Sequence, residues 1–500
     1  MGGVRPASRM RPVELIDDDE DDEGPGSVGP SSRDDRAAAA GGPRHPGTTD
    51  GTWPPRGWRW WPWVVGALVV AVGAGALATA ATERAARERA DTFARFPGVV
   101  RPLEAAPAVR WRAPADGPTP VIAAGGALVT VSGSQGMWTV RSLDAATGDE
   151  RWQVPVVEQS GSGFESVVVR CSGGDEAPAV LLCVWTAPNV VYGGAGESTP
   201  YVPPTHVLAL DPVDGTQRGA WELPGTPLGV VRHGDDLVVA SALSDRRVLV
   251  ERHDGTDGTV RWSWTSPGVL VDTGGLRAAP VLVGGGDVVA LVAVSTAVLD
   301  ARRGRVLEEG PPGRQILLRA LPDGGYATWA SALGGHLRDP GWEVRATVPA
   351  LPSSVVGDRS VDTLLLDAGN RVLAVSPADG ATAWMLPTSM TPVAVADGVV
   401  VLAGDASVGA VDGTDGRLLW QQDLRDELLS APLTDGLQVL VAEPDGTAGA
   451  DGAGGHVLVA RGLRDGVETW RVALPADVRS VVAVGGHVVA RTATEVVVLG

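Results

Sequence analysis

From Trp111 onward the apolar residues come in short Val, Leu and Ala runs bounded by Gly, Asp and Pro, as in VIAAGGALVTVSG, LVVASAL, VVALVAV, GVVVLAG and VVAVGGHVVART. Runs of about four to eight such residues between turn residues predict buried strands. Nothing after residue 100 keeps a 3.6-residue period. The first hundred residues read differently. Residues 1–55 hold almost nothing to bury, and then 21 residues from Pro62 to Thr82 carry no charge.

One phrase recurs through the strand-rich part. LDAATGDERW ends at Trp152, LDPVDGTQRGAW at Trp221, HDGTDGTVRW at Trp262, SPADGATAW at Trp384, VDGTDGRLLW at Trp420 and LRDGVETW at Trp470. Its fixed members are Gly148 with Trp152, Gly215 with Trp221, Gly258 with Trp262, Gly380 with Trp384, Gly416 with Trp420, and Gly466 with Trp470. The second copy has two extra residues after its glycine. LDARRGRVLEEG keeps the turn but places Glu308 where tryptophan belongs, and LRDPGWEV around Trp342 is a shortened cousin. With 17 tryptophans and 67 glycines, a glycine four before a tryptophan is expected about twice by chance and occurs seven times. Two of the seven lack the frame; the other five make the repeat real.

The spacing has a physical reading. A glycine after Asp or Thr supplies positive φ at little cost. The aspartate caps the turn with its own carboxylate. The next residues start the return strand, and a tryptophan at a fixed position on it fills the wedge between neighbouring sheets. Several strands per unit, repeated at roughly 36 to 67 residues, indicate a propeller.

The strand–D-x-x-[TD]-G-x-x-x-W phrase resembles the tryptophan-docking repeat of the PQQ-like, or quinoprotein alcohol dehydrogenase-like, β-propellers, over about Ala108–Gly500. The resemblance implies an all-β ring of about eight four-stranded blades, within a range of seven to nine. Eight follows if the Trp342 unit is decoration and nine if it is a blade. AVRWRAP opens the domain with a strand lacking its turn, and EVVVLG ends it, so pairing first with last would close the ring and remove exposed edges. Relatives with this repeat span quinone dehydrogenases, a lipoprotein scaffold of outer-membrane barrel assembly, and sensor domains of actinobacterial membrane proteins; the chain resembles the actinobacterial, membrane-anchored type.

Residues 1–55 are expected to be a disordered acidic tail in the cytoplasm: ELIDDDEDDEG holds eight carboxylates, and too little apolar surface is present to offset ordering. Residues 61–82 are expected to be an uncleaved transmembrane signal anchor. The run can cross a core of about 30 Å, and Trp58, Trp60, Trp61 and Trp63 form an aromatic collar. Residues 83–107 read as a juxtamembrane helix and linker, and 108–500 as the propeller. Arg84, Arg87, Arg89 and Arg95 outnumber Arg56 and Arg59, which taken alone favours the opposite orientation. Cys171 and Cys183 lie in strand-like runs that would fold into a hairpin and bring the sulfurs to disulfide distance. Their alternative is two buried thiols. A disulfide implies an oxidising compartment, hence a propeller outside the cytoplasm.

The net charge of −19 argues against nucleic acid as a partner, because a phosphate-binding surface needs clustered positive charge and none stands out. The resemblance would imply, for a quinone dehydrogenase, adjacent bonded cysteines and a Glu/Asn/Asp calcium set. The two cysteines are not adjacent, and asparagine occurs only at Asn189 and Asn370. No cofactor, pyrroloquinoline quinone included, is expected. The seven histidines show no zinc spacing. HDGTDG and DGTDG lack the further ligands of a calcium loop. No G-x-S-x-G elbow is present. One stretch has binding-loop composition: TAPNVVYGGAGESTPYVPPTH, with Tyr192 and Tyr201. The alternative is an irregular connection. The reading is a single-pass, plasma-membrane-anchored extracytoplasmic propeller acting as a non-catalytic binding or scaffold module, with a protein or envelope partner. The alternative is a quinoprotein-like enzyme or small-ligand sensor with a site on the axis.

Overall fold

A computed structural model describes residue 65 and residues 84–500, except 116–119, 135, 159–166, 173–177, 187–189, 193–197, 201–202, 271–279, 312, 332 and 446–454. The predicted span at 61–82 and the acidic tail at 1–55 lie outside the described residues, Val65 apart. No helix among the described residues is long and apolar enough to cross a membrane.

Among the described residues the strands form nine blade sheets in chain order, antiparallel but for one pair, and a separate two-stranded ribbon. We number the blades 1 (122–158), 2 (170–223), 3 (229–265), 4 (281–309), 5 (317–348), 6 (364–387), 7 (391–423), 8 (433–473) and 9 (480–499). In blades 1 to 8 the strands run outward in sequence order. First strands of successive blades adjoin, as Gly229–His233 beside Val281–Gly285 does, which puts them around the axis. The count of nine sits at the upper end of the expected range, because the Trp342 unit is a full blade of its own.

The ring closes as the chain ends predict. Val109–Pro114 pairs antiparallel with Glu495–Leu499 and becomes the outer strand of blade 9. Blade 6 departs from four strands. Its first strand is reduced to a bridge between Pro352 and Leu366, while Val356–Gly357 pairs in parallel with blade 7 at Ala394 and Val395.

There is no central core. The buried side chains form nine clusters, one for each gap between neighbouring blades. Middle strands are therefore buried on both faces, and Val399–Leu402, Val439–Ala442, Val457–Ala460 and Val496–Leu499 are apolar throughout. This is why the sequence shows continuous apolar runs where a half-exposed sheet would alternate. Outer strands do alternate, as in Glu150–Glu158.

The segment before the ring is not a free tether. Residues 84–93 form the expected helix, and residues 94–103 pack on the ring, where the sequence suggested a linker. Ala90, Phe93, Val99 and Val100 are buried against blades 7, 8 and 9. Arg89 pairs with Asp397. Val100 N–H donates to the Thr434 carbonyl at 3.0 Å and Arg101 N–H to the Gly486 carbonyl at 2.8 Å. The buried Asp435 carboxylate accepts the N–H of Leu103 at 3.1 Å. Proline at 97 and 102 blocks regular structure, so these backbone groups find partners on the ring.

Candidate functional site

The repeat residues act between blades. Each turn glycine has φ between 66° and 77° at Gly148, Gly215, Gly258, Gly304, Gly380, Gly416 and Gly466. The residue opening the turn caps it: Asp144 accepts the N–H groups of Ala146 and Thr147, and Asp254 those of Thr256 and Asp257. Gly462 opens the blade 8 turn without a side chain. Arg151 lies against Asp144 at 2.7 Å, and this pairing with the two N–H donors holds the carboxyl down to about 2. Arg218 with Asp211 and Arg261 with Asp254 repeat the pair.

Each tryptophan docks on the glycine of the following blade. Trp111 covers Gly148, Trp152 Gly215, Trp221 Gly258, Trp262 Gly304, Trp384 Gly416, and Trp420 Gly466. A Cβ built on any of these glycines would stand 2.5–2.7 Å from the indole, so no other residue fits. Each indole N–H donates, at 2.8–3.2 Å, to the carbonyl three residues before that glycine: Ala145, Pro212, Gly255, Ala301, Gly413 and Leu463.

The exceptions have causes. The two extra residues in blade 2 move Trp221 opposite Val207 and put Gly219 opposite Ala209, where a Cβ would meet the Thr256 carbonyl at 1.8 Å. A shift of two keeps the tryptophan on the same strand face. Trp470 faces blade 9, whose third and fourth strands come from opposite chain ends, so no turn joins them to receive it; its buried indole N–H has no partner among the described residues. Gly380 receives Ala346 and the Thr347 carbonyl.

Blade 4 carries Glu308 in place of tryptophan. Glu308 bonds Arg338 of blade 5 at 2.6 Å, and that guanidinium lies 4.9 Å from the ring of Trp342 and donates to its carbonyl at 3.1 Å. Trp342 takes the turn position, at φ 76°, and is buried with Tyr326. At this junction the aromatic ring has moved from the strand of one blade into the turn of the next.

Cys171 and Cys183 face each other across the first two strands of blade 2 and are joined as a disulfide, S–S 2.00 Å. Tyr192 ends a small ribbon, Val190–Tyr192 paired with Ser198–Pro200, in the long connection of blade 2. Tyr201 lies outside the described residues.

Antiparallel order puts the first-to-second and third-to-fourth turns on one face, and the other connections on the opposite face. The N-terminal segment packs on the first of these, at Asp397, Thr434, Leu463 and Gly486. The four longest intervals between successive blade strands start and end on the other: Glu158 to Arg170, Thr186 to Thr205, Thr265 to Val281, and Pro444 to His456.

Among the described residues no cluster of His, Cys, Asp and Glu is arranged to hold a metal ion. The cross-strand disulfide is not the adjacent pair a quinone site of this family would need. His487 is buried and His233 mostly so. Burial, with Arg252 beside the first and Arg101 and Arg110 beside the second, pushes both imidazoles below their ordinary value.

Among solved structures, BamB from Moraxella catarrhalis is similar at 15% identity, covering 79% of this chain and 99% of its own, with a TM-score of 0.42. A europium-containing methanol dehydrogenase is 12% identical over 80% of this chain and 88% of its own, TM-score 0.39. A quinohemoprotein alcohol dehydrogenase from Pseudomonas putida HK5 is 12% identical over 82% and 81%, TM-score 0.37. No curated protein sequence matches the chain. The profile of the family described as outer membrane protein assembly factor BamB matches residues 203–397 and 368–457, together just over half of the chain. The nine-bladed ring with its tryptophan-to-glycine docking is thus a PQQ-like β-propeller, and the chain belongs to that family.

Proposed function

We propose that this protein is a membrane-anchored propeller that holds a rigid, non-catalytic binding face outside the cytoplasm for a protein or cell-envelope partner. One observation carries the reading: the four longest connections leave the ring on the face opposite the packed N-terminal segment. Loops of varied length on a rigid scaffold are where binding residues sit. The Tyr192 loop belongs to this face. The family description, an assembly factor, supports a scaffold role. The uncharged run at 62–82 supports a single span with the tail inside, and the disulfide supports a propeller in an oxidising compartment. The acidic net charge supports partners other than nucleic acid. We propose no cofactor.

The test is cross-linking on intact cells with a membrane-impermeant reagent, followed by purification of the full chain in detergent. A near-stoichiometric protein attached through the long-loop face supports the reading. A labelled propeller that comes out alone counts against the scaffold, and an unlabelled one against the orientation.

A further inference from the structure

Where the N-terminal segment crosses the ring it does not fill the axis. Between residues 91–101 and the first strands of blades 9, 1 and 2 lies a cavity of about 700 Å³, in the size range of small-molecule sites. Its wall on the ring side carries the apolar side chains of Val121, Ile122 and Val484, with Ser172 beside them. Phe96 stands on the other side, 44% exposed, although it belongs to a segment whose neighbours Phe93 and Val99 are buried. Arg95 and Arg101 line the same space, and Asp91 is the carboxylate on its rim. Among the described residues neither arginine makes an ion pair, whereas Arg89 in the same segment pairs with Asp397. Among the described residues two guanidinia against one carboxylate leave the cavity positive, and the neighbouring His487 lies in that field.

We propose that this cavity binds a small amphipathic anion, its carboxylate or phosphate held by Arg95 and Arg101 and its flat apolar body lying between Phe96 and the Val121–Val484 wall. Guanidinium forks match both oxyanions, and the apolar walls reward a body that a bare ion lacks. The site goes beyond the scaffold reading and depends on neither the anchor nor a protein partner.

The experiment is calorimetric titration of the full chain, in an uncharged maltoside detergent, with 2-naphthoate, 2-naphthyl phosphate and 2-naphthol. One site per chain is expected, with at least one of the two anions binding about tenfold or more tighter than the naphthol. The preferred anion tells carboxylate from phosphate. The double variant Arg95→Gln with Arg101→Gln should remove the anion preference and leave naphthol binding unchanged, while Phe96→Ala weakens all three. All three side chains are exposed, so the fold is retained, and a thermal melt of each variant checks this. Equal binding of anions and naphthol, undiminished anion binding by the double variant, or no binding of any probe overturns the proposal.

Discussion

Trp384 rests on Gly416 of the next blade, not on Gly380 of its own phrase. A Cβ on Gly416 would stand 2.5 Å from the indole, and the indole N–H reaches the Gly413 carbonyl at 2.9 Å. Gly416→Ala should therefore destabilise by about 3–5 kcal/mol, combining overpacking with the positive-φ penalty. Gly369 has φ 83° with nothing within 4 Å, and its alanine variant should cost only about 1–2 kcal/mol. In a Trp384→Ala background, itself costing about 3–5 kcal/mol, Gly416→Ala should fall to the Gly369 level. Chemical denaturation of the four variants measures this, and additive costs would refute the docking.

The blade 4–5 junction should be sensitive to charge. The Arg338 side chain is 11% exposed, and Glu308 is its one carboxylate partner among the described residues. Glu308→Ala strands that guanidinium and should cost about 3 kcal/mol. Arg303, 77% exposed and 4.0 Å from Asp300, serves as the control, and Arg303→Ala should stay within about 0.5 kcal/mol. Equal effects would show that Glu308 is a surface charge like the rest.

Stability should fall on acidification. His233, facing Arg252, Arg302 and Asp287, and His487, facing Arg101, Arg110 and Asp144, have folded pKa values below the unfolded one. Their contribution is present above about pH 6.5 and is lost as pH falls below it. The turn carboxylates Asp144, Asp211, Asp257, Asp379 and Asp412 are also lowered, and their contribution is lost further down, below about pH 4. Buried Asp435 is raised and acts the other way, its penalty easing as it protonates. Urea midpoints from pH 8 to 2 should drop in two stages, and His487→Gln should diminish the first.

Cys171 and Cys183 should be unreactive to alkylating reagents in the unfolded, unreduced chain and should both react after reduction. The loop they close is short, so the Cys171→Ser, Cys183→Ser variant should lose about 2–3 kcal/mol and keep its ring. Alkylation without reductant would contradict the pairing.

Packing of residues 84–103 against the ring predicts slow trypsin cleavage at Arg89 and Arg95. Val99 and Val100 are 0% and 1% exposed, so Val99→Asp or Val100→Asp should release the segment and speed cleavage there. Rapid cleavage of the parent protein at these arginines would restore the linker reading.

What was legible in the sequence is local. Positive φ at Gly148 or Gly416 is imposed by a few adjacent residues, and Asp144 or Asp412 caps its own turn, so a single phrase shows both. Continuous apolar runs announce strands buried on two faces, and two cysteines in adjoining strand runs announce a pairing across one hairpin. Ring closure could be read because two incomplete repeats sit at the two ends.

What only the tertiary structure decided is non-local. Tryptophan and glycine share a phrase, yet each finds its partner one blade away, because a side chain on an outer strand points across the gap between sheets. Trp342 looked like decoration, since its turn is one residue short and Glu308 breaks the pattern. The ninth blade emerges only when Arg338 is seen joining Glu308 to Trp342 across that gap. Pro97 and Pro102 removed the periodicity that would have announced packing of the N-terminal segment. Val99 and Val100 are buried by blades hundreds of residues later in the chain, a contact that the ring must close before it can form.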